Sequence, residues 1–156
     1  LDKGEYGNIH PVQKDVVGER LCEQALYHVY KNDNEKSAFG PIYKSYEKDE
    51  EKMILHFDYA DNGMVCKGEK LIGFEIAGDD KKYYKADAKI AGNDIVVSAS
   101  EVDKPKYARY CWTNYSEVTL FGKNGIPAAP FRTSCDDGAV ATGSRNEGLW
   151  KNAEVD

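Results

Sequence analysis

The spacing of hydrophobic residues changes period once along this chain. Between residues 14 and 30, Val17, Leu21, Ala25 and Val29 recur every four positions, flanked by Cys22 and Leu26, and this predicts an amphipathic helix. Pro11 stands just ahead of it, where helix starts tolerate proline. Gly18 falls inside at a cost of about 1 kcal/mol against Ala, so it is expected to mark the close approach of another backbone. Residues 31–41, KNDNEKSAFGP, are polar and end on Gly40-Pro41, the best linker in the sequence. Beyond it the period drops to two. Met53, Leu55, Phe57 and Tyr59 share one face, while Ile54, His56 and Asp58 share the other. Similar runs follow at 71–77, 83–90, 95–99, 107–112 and 118–121. Turn signals separate them at Asp61-Asn62-Gly63, Gly78-Asp79-Asp80, Gly92-Asn93-Asp94, Lys104-Pro105 and Asn124-Gly125. The expected fold class is therefore mainly β, an antiparallel β-sandwich preceded by one amphipathic helix. Residues 134–156 are small and polar, with only Leu149 and Trp150 as anchors, and predict a mobile tail.

Composition narrows the partners. The 156 residues are 41% hydrophobic and carry a formal net charge of -6, with Lys and Arg scattered among acids rather than gathered in a stripe. That charge pattern argues against nucleic acid as a partner. No apolar run approaches the roughly 18 residues of a membrane span, and Leu1 opens no basic-then-apolar signal segment. Neither a membrane nor a leader is expected. The first ten residues, LDKGEYGNIH, form no element that would start a domain, and such a beginning reads as a cut. Four cysteines, Cys22, Cys66, Cys111 and Cys135, form no CxxC pair, so no thiolate metal site is expected. Three of them sit beside apolar residues, where Cys serves as a small buried hydrophobe.

Two segments contain residue types that carry chemistry. His10 lies in a loop directly before Pro11, where a neutral imidazole can take a proton from a hydroxyl. The same residue also suits a solvent-exposed or helix-capping role. His28 and His56 read as structural. No GxSxG elbow, GxGxxG or GxxxxGK occurs, so the chain offers a base without an evident nucleophile, and no cofactor is expected. The second segment, residues 109–133, groups Tyr110, Trp112, Tyr115 and Phe121 around Asn114. With Tyr107, such aromatics suit either a sugar-binding surface or a sandwich core.

Together the segments carry a resemblance. NIHPVQKDVVGERLCEQAL resembles the histidine-bearing motif of the sialate O-acetylesterase family, and RYCWTN with GIPAAPFRT resembles its later signature. GPIYKS and GFEIAG between them also match, so the likeness runs from about Asp2 to Thr133. The resemblance implies a serine esterase of the SGNH type that removes acetyl groups from sugar hydroxyls, with His10 as general base. It implies that the serine lies in an N-terminal α/β portion, the chain's partner together with the acetylated sugar substrate. Residues 1–36 would then be the C-terminal end of that α/β domain, its last helix left over ahead of a β-sandwich at 37–133. The wider class often places its acid three residues before the histidine, and Gly7 stands there. Asp2 is the candidate orienting acid, Glu5 the second, and Asn8 serves only as a neutral partner. A homodimer through the exposed helix and an extracytoplasmic location (periplasmic, secreted or lysosomal) complete the expectations. The competing reading is an accessory carbohydrate-binding β-sandwich module without catalysis.

Overall fold

A computed structural model describes residues 1–32 and 38–136. Among the described residues, helix α1 (Lys14–His28) precedes the strands β1 (Ile42–Asp49), β2 (Lys52–Asp58), β3 (Met64–Cys66), β4 (Phe74–Ala77), β5 (Tyr84–Lys85), β6 (Asp87–Ala91), β7 (Asp94–Ser98), β8 (Tyr107–Tyr110), β9 (Leu120–Gly122) and β10 (Phe131–Arg132). They form two four-stranded sheets, β1-β2-β7-β6 and β10-β8-β4-β5, and a two-stranded β3-β9 ribbon. Every strand pairing is antiparallel. The described chain is thus mostly β behind one helix, as its periodicity requires.

Alternation decides which face of each strand is buried. On β2, Met53, Leu55 and Phe57 point inward, and across the pair Val97 opposes Met53 while Ile95 opposes Leu55. From the other sheet come Phe74 and Ile76 on β4 and Ala108 and Tyr110 on β8, so the inner faces of both sheets close over one core. Each large side chain there stabilises the fold by roughly 1.5–3 kcal/mol. The ring of Phe131 from β10 stacks on Tyr43 with centroids 4.5 Å apart, which ties the second sheet to the first strand of the first. Three strands have no counterpart in the sequence pattern. β1 is an edge strand reading IYKSYEKD, and a register irregularity between Tyr43 and Ser45 breaks its alternation. β3 and β10 are too short to display a period.

Helix α1 forms where expected, with Asp15 in its first turn. None of its residues is fully buried. The half-buried positions Val16, Arg20, Glu23, Gln24, Leu26 and Tyr27 make one face of mixed polarity toward the rest of the chain. On that face the Gln24 amide donates to the Ala38 carbonyl, and Tyr27 meets Phe39 edge-on at 5.1 Å. Phe39 in turn stacks on Tyr59 at 4.3 Å. The apolar stripe points the other way, with Leu21 64% and Val29 69% exposed. Cys22 lies on this exposed side rather than in a core, and a Cβ at Gly18 would meet nothing within 4 Å. The close approach expected at Gly18 is therefore absent among the described residues. Close approach occurs at Gly40 instead, where a Cβ would stand 2.5 Å from the Pro127 carbonyl oxygen. The expected boundary between residues 36 and 37 lies outside the described residues, as do residues 137–156 of the tail expected at 134–156.

Candidate functional site

The loop ahead of α1 is short and polar, and its order comes from hydrogen bonds rather than from a core. Glu5 closes it from one side: one carboxylate oxygen accepts from the Val12 N–H at 3.1 Å and the other from the Asn8 amide at 3.0 Å. Asn8 closes it from the other, its side-chain oxygen accepting from the His10 N–H at 2.9 Å. That last contact is an Asx turn, which asparagine forms readily because its side chain mimics a backbone carbonyl. Gly7 supplies the left-handed φ of 81° the turn needs. The Val12 N–H, with Asn8 second, holds the Glu5 carboxyl below its ordinary range. His10 thus has a braced backbone, while its ring is exposed and makes no hydrogen bond among the described residues.

Asp2 and His10 are not hydrogen-bonded to each other. Both Asp2 oxygens accept from Arg20, at 2.6 and 2.9 Å, and this bond lowers the Asp2 pKa against the opposing effect of burial. The paired carboxylate raises Arg20 in return. A bidentate fork of this kind fixes direction as well as distance, so Asp2 anchors the start of the loop to α1. Sequence reasoning missed Arg20, because it lies on the helix face that the apolar stripe made look like the solvent side. Tyr6 makes the loop's other attachment, edge-on to Tyr115 with centroids 5.3 Å apart.

The remaining histidines, read from the sequence as structural, each lie against neighbours in the fold. His56 Nδ1 lies 2.8 Å from Asp94 across the β2–β7 pair, and His28 lies edge-on to Tyr27 and Phe39. The aromatic run divides between core and surface. Tyr110 is fully buried, its hydroxyl pKa pushed far up by burial, and Tyr115 is covered in part by Tyr6. Arg109, 1% exposed, donates to Glu75 at 2.7 Å and lies 3.8 Å over the Tyr83 ring. Cys111 is buried at a left-handed φ of 46°, and its Sγ leaves no room for a Cβ on Gly73, 2.8 Å away. GIPAAPFRT is likewise mostly framework, with Ala128 fully buried and Thr133 bonded twice to Ala108. No continuous exposed row of Tyr107, Tyr110, Trp112 and Tyr115 exists.

No protein-family model matches the chain, and no curated protein matches it. Among solved structures it is similar to a carbohydrate acetylesterase from Xanthomonas citri, with a TM-score of 0.80 and 32% identity. The match covers 86% of this chain and 31% of that one, so the chain spans about a third of that protein's length.

Proposed function

We propose that this chain is the C-terminal part of a serine carbohydrate O-acetylesterase acting on sialic acid or a related sugar, to which it contributes the general base His10. The likeness to a carbohydrate acetylesterase carries the reading and supports an esterase role at that coarse level. The exposed His10 ring on a braced loop and the uncovered stripe on α1 favour it over a binding module, whose platform would need the Tyr110 ring that lies in the core. In this reading an N-terminal α/β portion covers the stripe and presents the serine.

The chemistry then follows from the imidazole. Neutral His10 accepts the serine proton as the hydroxyl attacks the acetyl carbonyl, and as imidazolium it returns that proton to the departing sugar oxygen. A water activated in the same way releases acetate from the acyl-enzyme. Asp2 is the proposed orienting acid. Bidentate pairing with Arg20 leaves a further lone pair on each of its oxygens for the imidazole N–H. The β domain would be extracytoplasmic with the rest of the enzyme. A homodimer through α1 is the competing way to cover the stripe. Acetyl-ester turnover with and without the His10 imidazole tests the reading, and this chain alone is expected to give none.

A further inference from the structure

Between the 70–75 segment, the β5–β6 corner, the 99–101 turn and the 111–116 loop lies a cleft of about 640 Å³. That volume falls within the range of small-molecule sites. Its floor is apolar, formed by buried Leu71 and Phe74, and Trp112 lines its side half-exposed. Lys85, Asp87 and Glu101 stand exposed around it, so donors and acceptors of both signs ring an aromatic wall. The Arg132 guanidinium lies 5.1 Å from the centre of the Trp112 ring and helps fix its orientation. The wall is also linked to the histidine loop, because Tyr115 of the 111–116 loop packs on Tyr6.

We propose that this cleft binds a pyranose unit of an oligosaccharide, stacking its C–H face on Trp112 and bonding its hydroxyls to the charged rim. A pyranose has just this pairing of one apolar face with an equator of donors and acceptors, and neither a purely apolar ligand nor a strong polyanion suits a rim of mixed sign. The Tyr6–Tyr115 contact couples the cleft to the loop bearing His10, so a bound chain held here would be positioned relative to that residue. The inference deepens the esterase reading by assigning a subsite for the carbohydrate beyond the acetylated unit, and it rests on that reading only for this link.

The test is calorimetric titration of this chain with cellotetraose, a neutral probe, and with sialyllactose, an anionic one. The chain has two tryptophans, so a Trp150→Phe variant leaves Trp112 as the sole tryptophan, read selectively over the tyrosines by red-edge excitation. At least one probe is expected to bind with low-millimolar affinity and to shift Trp112 emission. Trp112→Ala is expected to weaken binding at least ~10-fold. Ser100→Phe, a surface change that fills the mouth, should do the same and guards against a folding defect in the first variant. Binding of both probes means the hydroxyl face alone is read, and binding of sialyllactose alone means a rim lysine takes the carboxylate. No binding by either probe, or binding that survives both substitutions, overturns the proposal. The titration reads the cleft alone and acetyl-ester turnover reads His10, so the subsite and the esterase reading succeed or fail separately.

Discussion

Leu21→Ala probes the exposed stripe of α1 most sharply. Leu21 is 64% exposed in this chain. Removing its branched side chain here takes away little packing, and Ala is at least as good a helix former, so stability should change by no more than about 0.5 kcal/mol. Where the stripe is covered, the exposed part of Leu21 is buried. That part is about two-thirds of a side chain whose full burial is worth ~1.5–3 kcal/mol, so the same substitution should cost about 1–2 kcal/mol. The assay is urea denaturation of this chain and of a longer polypeptide that joins it to an α/β portion, each as wild type and as Leu21→Ala. Agreement between the two within about 0.5 kcal/mol would refute the argument that the stripe is an internal interface. A cost in the short chain that grows with protein concentration would instead reveal a homodimer.

Two further outcomes follow from the ion pairs. The Asp2 pKa is lowered by Arg20, so the tether of the histidine loop is complete above the ordinary Asp pKa of about 4 and is lost as pH falls through the depressed folded value. NMR titration of the Asn8, His10 and Val12 amides should show the loop loosening only in that acid range, and Asp2→Asn should loosen it at neutral pH. Arg109→Ala should cost about 3–5 kcal/mol in chemical denaturation, because it strips Glu75 of a partner and opens a void beside Tyr83. A loss below about 1 kcal/mol would show that water replaces the guanidinium without penalty.

Much of the β architecture was legible because β2 and β7 bury one face and expose the other, and a period of two survives wherever that holds. β1 was not, since an edge strand satisfies its outer groups with water and can carry Lys44, Glu47 and Lys48 without cost. The helix shows the limit of periodicity. Its stripe located α1 correctly, but the stripe does not show which face meets the rest of the chain, and here Arg20, Gln24 and Tyr27 make those contacts, to Asp2, Ala38 and Phe39. At the candidate site, His10 stood out through its position before Pro11. The sequence ranked Asp2 ahead of Glu5, with Asn8 only a neutral partner, but separations of eight, five and two positions from His10 do not show what each side chain bonds to. Their separate tasks depend on loop closure: Asp2 engages a residue 18 positions away, while Glu5 and Asn8 bond within the loop.

The central claim is that His10 is the base of an esterase. The most direct measurement is kcat for a chromogenic acetyl ester in the longer protein, wild type against His10→Ala, with folding checked by circular dichroism. An exposed loop residue holds little core, so the fold should be unchanged while kcat falls by at least ~10³-fold. Asp2→Asn should fall between that loss and the milder one from Glu5→Gln, since only Asp2 is assigned the orienting of the imidazole. Unchanged turnover in His10→Ala would contradict the account and leave the braced loop as a structural lead-in to α1.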